Sequence, residues 1–215
     1  MKTKKQGRND NLRLRAERGS SDAQFELGSE IEDDNPEEAA EWYRLAAEQD
    51  YIEAQVELAR LYEEGLGVPK NDAAAFRWNL RAAQMGNTMA YLNVGRSYVQ
   101  GIGVEANQVE AIKWLTHIVN PSNSPDRWCM PRGQFWIGLA YAMPSQRNLV
   151  EAYKWLNLAA TYLPSMAKQD AVSRETAIDA RNFLTKQMTA EQVHSAQQLS
   201  ADLFSPRNLE KKSPQ

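Results

Sequence analysis

Cysteine, histidine and long apolar runs are scarce in this sequence, and each shortage removes a class of function. Cys129 is the only cysteine, so no intrachain disulfide and no cysteine-ligated zinc cluster can form. The two histidines, His117 and His194, stand 77 residues apart and supply no His-x3-His metal pair. No window approaches the roughly 18 apolar residues of a membrane span. The N-terminal stretch has Lys2, Lys4, Lys5 and Arg8 but no apolar run of signal-peptide length, so a cytoplasmic location is expected, without membrane insertion. A net charge of −3 calls for no nucleic-acid partner. There is no Gly-x-Ser-x-Gly elbow, and Cys129 has no His beside it in sequence. The acidic run 30–38 reads as a solvated turn and helix start, since its carboxylates lack ligand spacing. No catalytic residue, metal ligand or cofactor is therefore expected.

What is present is a period. Trp42, Trp78 and Trp114 are spaced by 36 residues and Trp155 follows after 41, each with an Ala three positions earlier (Ala39, Ala75, Ala111, Ala152). A second motif recurs upstream of three of them. Ala54, Leu58, Ala59 and Tyr62 match Ala90, Val94, Gly95 and Tyr98, then Gly133, Ile137, Gly138 and Tyr141, with Ala23, Leu27 and Gly28 a degenerate first copy. Apolar residues at i, i+4, i+5 and i+8 line one side of a helix. Between the two helices, EEGLGVPKND (63–72) recurs as VQGIGVEANQ (99–108), with Gly65 and Gly101 placed for positive φ and Val68 and Val104 placed to return to the core. Gly65-Leu66-Gly67 and Gly101-Ile102-Gly103 lack the third glycine of a dinucleotide fingerprint, so they are turns. One such helix pair cannot bury its own apolar face, and stacked neighbours complete the core. The expected fold is all-α: a right-handed α-solenoid of about four antiparallel helix pairs with capping helices. Trp42, Trp78, Trp114, Trp155, Tyr62, Tyr98, Tyr141 and the turn glycines are its expected structural core.

The boundaries follow from the spacing. A disordered basic tail (1–8) precedes a solenoid over 9–162. It divides into a half-repeat cap (12–22), repeats at about 23–53, 54–89, 90–119 and 133–162, and an inserted loop (120–132). Capping helices fill 163–205, at about 166–187 and 190–203, where Thr189 and Gln192 form a capping box, and 206–215 is a disordered tail. Repeats one and four have shortened turns, at Asn35-Pro36 and Met143-Pro144-Ser145. Val119 to Gly133 spans 14 residues where Ala83 to Ala90 spans seven. Two readings of that insertion stand side by side: Trp128 and Met130 patch the stack, or Arg127, Trp128 and Met130 belong to a recognition loop.

The Ala-x3-Leu-Ala/Gly-x2-Tyr helix, Gly-x-Gly-Val turn and Ala-x2-Trp helix resemble the Sel-one-like repeats, a branch of the tetratricopeptide superfamily. The resemblance covers roughly 12–162 and is strongest over 54–114. The closing MTAEQVHSAQQLSADLF is similar to a terminal helix that follows such repeats in bacterial proteins. This likeness implies a non-catalytic scaffold or adaptor for a protein or peptide partner. A host-directed effector is an alternative. A hydrolase acting on cell-wall or β-lactam substrates is a weaker one, because the cysteine pairs of members linked to that activity are missing. Carrying over the tetratricopeptide groove pattern selects Phe25, Val56, Arg60, Glu63, Leu92, Arg96, Val99 and Phe135, with Asp22, Ser29, Glu53, Met89, Arg132, Leu139 and Ala142 beside them. Arg60 and Arg96 share one slot, which suggests a short basic ladder for an acidic-apolar peptide.

Overall fold

In a computed structural model, residues 4–119, 128–164 and 172–203 are described. They form eleven α-helices and one 3-10 turn, with no strand among the described residues. The helices are α1 Lys4–Glu17, α2 Ser21–Ile31, α3 Pro36–Glu48, α4 Ile52–Glu64, α5 Asp72–Gln84, α6 Thr88–Gln100, α7 Gln108–Val119, α8 Cys129–Ala142, α9 Leu149–Tyr162, α10 Arg174–Thr185 and α11 Ala190–Leu203, with the 3-10 turn at Pro144–Gln146. The fold is an all-α helical-repeat solenoid. The chain divides into two compact units: one runs to Val94 and adds Ile102–Val104, and the other comprises Gly95–Gly101 and the chain from Glu105 onward.

Each repeat is an A helix (α2, α4, α6, α8) followed by a B helix (α3, α5, α7, α9), and the same devices recur. Every B helix starts on an asparagine. Asn35, Asn71, Asn107 and Asn148 each accept a hydrogen bond from the backbone N–H three residues on, at 3.0–3.3 Å. Such a cap satisfies one of the orphan donors of a helix start and contributes about 1 kcal/mol. The backbone N–H of each asparagine also donates to an A-helix carbonyl: Ile31, Tyr62, Tyr98 and Tyr141 accept at 2.7–2.9 Å. These carbonyls occupy equivalent positions, so the turn closes identically although its length differs. The shortened first and fourth turns are tolerated for this reason.

Glycine sets how closely the helices and turns approach. Gly65 and Gly101 take φ of 73° and 70°, as expected of helix ends. The second glycine of each turn has a different duty. A Cβ on Gly67 would lie 2.0 Å from the Pro36 carbonyl oxygen, and one on Gly103 would lie 2.1 Å from that of Asp72. Each turn thus rests its backbone on the start of the preceding B helix. Inside the helix pairs, a Cβ on Gly28 would lie 2.9 Å from the Tyr43 ring, one on Gly95 would lie 2.4 Å from Leu115 and one on Gly138 would lie 2.7 Å from Leu156. No Cβ could be added at any of these positions without displacing the neighbour.

In the first unit, α1 brings Leu12 and Ala16 against Ala23 and Leu27 of α2. A larger cluster joins Ala39, Ala40, Tyr43, Ala46 and Ala47 of α3 to Ala54, Leu58 and Leu61 of α4, with Val68 packed against it. Polar bonds also link successive helix pairs. Gln24 and Gln55 are buried just after Ala23 and Ala54, and their amides donate to the Ala16 and Ala47 carbonyls at 3.1 Å. They add a second donor to carbonyls at the ends of α1 and α3 that the Gly19 and Asp50 N–H groups also reach. Gln134 holds the same slot in α8 and is fully buried, with neither amide atom hydrogen-bonded among the described residues.

The tryptophans depart from expectation. Trp42, Trp78, Trp114 and Trp155 are half-buried, as are Tyr62, Tyr98 and Tyr141, while Tyr43 beside Trp42 is 2% exposed and fills the interior. The indoles lie along the rim of the core, where two of their N–H groups reach carboxylates. Trp42 and Trp155 donate to Glu38 and Glu151, one helical turn earlier, at 3.2 and 3.1 Å.

In the second unit α8 packs against α7 and α9, and α10 and α11 both cover α9. Three boundaries differ from the sequence reading. Helix α1 begins at Lys4, inside the stretch expected to be a disordered tail, since Lys, Gln and Arg sustain a helix there despite Gly7. Cys129–Arg132 are the first turn of α8 rather than loop. Helix α10 starts at Arg174, where Ser173 and Thr176 form a capping box that the sequence reading missed. The Thr189–Gln192 capping box of α11 is present, with bonds of 2.9 and 3.2 Å. Residues 120–127, 165–171 and 204–215, including Arg127, lie outside the described residues.

Candidate binding surface

The A helices of the first unit bury one stripe and leave another open. In α2, Ala23, Gln24, Leu27 and Gly28 turn inward; Asp22 and Ser29 are exposed, and Phe25 and Glu26 are half-buried. In α4, Ala54, Gln55, Leu58, Ala59 and Leu61 are buried; Glu53 is exposed, and Val56, Glu57, Arg60 and Glu63 are half-buried. The residue that starts α4, Tyr51, brings the two helices together. Its ring stacks on Phe25 with centroids 5.1 Å apart and planes at 30°, and Phe25 in turn tilts against Tyr43 at 5.7 Å.

The segment that carries these rings is almost wholly negative. Residues 20–64 hold 15 carboxylates and two cations, Arg44 and Arg60, while the rest of the chain holds 13 carboxylates and 23 cations. A net charge of −3 averages out this asymmetry. Burial, then the nearby Glu53, Asp22 and Glu26, push the Tyr51 phenol above its ordinary value. Asp22 itself is paired with Arg15 and accepts a hydrogen bond from Ser20.

Arg60 is not a rung of a basic ladder. Its guanidinium donates to Glu32 at 2.5 Å, Glu57 at 2.8 Å and Glu64 at 2.9 Å. Burial opposes its charge, but the hydrogen bonds to Glu57 and Glu32 outweigh that and raise its pKa. Three carboxylates around one cation leave the cluster negative. The second oxygen of Glu32 accepts from the Tyr43 hydroxyl at 3.0 Å, so Glu32 ties α3 to α4. Burial, followed by this Glu32 contact, pushes the Tyr43 phenol above its ordinary range. Arg60 therefore offers no uncompensated cation to the expected acidic-apolar ligand.

Other expected groove positions are corrected as well. Glu63 is turned toward α5, where its carboxylate accepts from the buried Asn79 amide at 3.4 Å; Asn79 in turn accepts from Asn93 at 3.0 Å. A buried amide must find partners, and this one recruits Glu63. Leu92 is 5% exposed and belongs to the interior.

Within the second unit, Arg96 and Val99 are half-buried on α6. Phe135 is buried, edge-on to Trp136 at 5.3 Å, because α8 is enclosed on nearly every side. Arg132 is also buried, its guanidinium 3.8 Å from the centre of the Trp128 ring and donating to the Trp128 carbonyl at 2.9 Å. Trp128 is 44% exposed and therefore not tucked beneath a loop; Met130 is half-buried.

Among the described residues, no group of three or more His, Cys, Asp or Glu could hold a metal ion. No described helix is long and apolar enough to cross a membrane.

The family model for the Sel1 repeat matches residues 21–51, 52–87, 88–116 and 131–161, more than half of the chain. The chain belongs to the Sel1-repeat family. Sel1-repeat proteins generally serve as protein-interaction scaffolds, and the repeat fold is typically non-catalytic. Three solved bacterial structures are similar. A Sel1 repeat protein from Oxalobacter formigenes is 37% identical over 49% of this chain and 84% of its own, with a TM-score of 0.47. A protective antigen present in uropathogenic Escherichia coli strains, displaying an SLR fold, is 25% identical and covers 96% of this chain with a TM-score of 0.47; this chain spans about half (51%) of it. A Sel1 repeat protein from Klebsiella pneumoniae subsp. pneumoniae is 17% identical, covers 92% of this chain and 99% of its own at a TM-score of 0.51, and shares the fold alone. Comparison with curated proteins finds no match.

Proposed function

We propose that this Sel1-repeat protein is a non-catalytic scaffold that binds a segment of a protein partner along the α2–α4 face of its first unit. The observation that carries this reading is the division of labour within those two helices. One stripe of each is sealed by Ala, Leu and Gly, while Phe25, Tyr51 and Val56 remain partly open on the other. Partly exposed aromatic and aliphatic side chains on rigid helices suit peptide recognition, because little conformational freedom is lost when a partner settles on them. The recurring polar bonds between helices are spent on backbone carbonyls and leave this face free to specialise.

A photo-crosslinking residue placed at Val56 or Ser29 in the native cell should yield discrete adducts, and one at Glu41 on α3 should not. Equal adducts from all three positions, or adducts from Glu41 alone, would overturn the assignment of the face.

A further inference from the structure

The segment that this face accepts can be assigned a charge, an inference that rests on the scaffold reading above. We propose that the α2–α4 face takes a lysine- or arginine-bearing segment of the partner, with a cationic side chain set against the Phe25–Tyr51 ring pair and held by Glu26 and Glu53.

Two independent observations support this. The first is the stacked pair itself, with centroids 5.1 Å apart and each ring half-buried. Aromatic faces carry negative quadrupole potential and attract ammonium and guanidinium groups. The second is the charge around the pair. Glu53 is exposed, and no ion pair engages it among the described residues; Glu26 and Asp22 act on the same Tyr51 phenol. The cation nearest along α4, Arg60, is already held by three carboxylates and cannot neutralise the rings' surroundings. Among the described residues Arg15 pairs with Asp22, and Arg81 pairs with Asp50. A bare metal ion does not fit, since these carboxylates form no cluster that could coordinate one. A side-chain cation is larger, is partly apolar along its stem, and gains from both ring and carboxylate. Electrostatic complementarity of this kind also speeds encounter and excludes acidic competitors.

The test uses the full chain and two labelled twelve-residue Gly/Ser peptides, one carrying four lysines and the other four glutamates, followed by fluorescence anisotropy. The lysine peptide should bind and the glutamate peptide should not, with affinity falling as salt rises. Glu26→Gln with Glu53→Gln should weaken the lysine peptide about fivefold, and Tyr51→Leu about threefold, each at unchanged helicity. The amide variants are isosteric and exposed or half-exposed, so the readout survives if Tyr51→Leu disturbs folding. Glu41→Gln with Glu48→Gln, on α3, removes the same charge elsewhere and should change affinity less than twofold. Equal weakening by this control pair would reduce the effect to bulk charge and overturn the site. Binding of the glutamate peptide, or of neither peptide, would also overturn it. In either case adducts at Val56 and Ser29 would leave the scaffold reading standing, whereas their absence alongside lysine-peptide binding would sink the scaffold and not the cation site.

Discussion

Gly65 and Gly67 allow the backbone argument to be tested inside one turn. Both take positive φ, 73° and 67°, so alanine at either meets the same left-handed penalty of roughly 1–2 kcal/mol. They differ in what surrounds the new methyl group. At Gly65 the nearest atom is Lys70 Cβ at 3.2 Å, on an exposed residue of the turn that can give by a few tenths of an ångström. At Gly67 the methyl would sit 2.0 Å from the Pro36 carbonyl oxygen and 2.3 Å from its carbon. Pro36 is the first residue of α3, pinned by the Asn35 cap and by the Asn35 N–H bond to Ile31, so it cannot retreat without unseating that helix. Overpacking of this sort adds about 1–3 kcal/mol. Gly65→Ala should therefore cost roughly 1–2 kcal/mol and Gly67→Ala roughly 2–5 kcal/mol. Urea titration followed by far-ultraviolet circular dichroism measures both, with midpoints compared at fixed slope because helical arrays need not unfold in two states. Equal losses at the two positions, within about 0.5 kcal/mol, would refute the claim that the second glycine exists for the inter-repeat approach.

Two further predictions concern buried polar groups. Gln55→Ala should cost about 1 kcal/mol in the same titration, because the buried bond between helix pairs is lost while the Asp50 N–H still reaches the Ala47 carbonyl; a loss no greater than that of exposed Gln84→Ala would contradict the role given to this amide. Tyr43 keeps its proton in the folded chain beyond the ordinary value of 10.0, so the unfolded chain ionises first and stability falls as pH rises above about 10. Tyr43→Phe should be less stable than the parent at pH 8, through loss of the bond to Glu32, and the deficit should shrink between pH 9 and 11. A deficit constant across that range would show that Tyr43 is not the titrating group.

The repeat was legible because its signals are local. A 36-residue spacing of Trp, Ala and Gly survives without knowledge of any contact, and Gly65, Gly101 and the Thr189–Gln192 box behave as their spacing implies. One further signal was available in the same text. Asn35, Asn71 and Asn107 share that 36-residue interval, and capping chemistry explains them at once. The groove positions were less legible, because their exposure depends on elements remote in sequence. Phe135 and Arg132 match the pattern of an open face, yet α8 is enclosed by its neighbours and by the Trp128 ring. Arg60 departs from the expected basic slot for an electrostatic reason: its partners Glu57 and Glu64 lie at helical spacing, but Glu32 arrives from 28 residues away.

Conserving the frame with backbone-directed bonds has a consequence for specificity. The asparagine caps, the Ile31 and Tyr carbonyls, the Gln amides and the second turn glycines all act on main-chain atoms, so they impose no side-chain chemistry on the outward stripe of an A helix. Charge can therefore collect there at little cost to the fold, since exposed carboxylates repel weakly in water and salt. Where crowding would destabilise, the structure supplies a local remedy: Arg60 gathers Glu32, Glu57 and Glu64, and Arg81 bridges to Asp50, which holds a positive φ of 64°. Among the described residues Glu53 has no such remedy, although it acts on the Tyr51 phenol of the Phe25–Tyr51 pair. Folding alone gives no reason to leave that carboxylate uncompensated next to half-exposed rings, and a cation brought by a partner does.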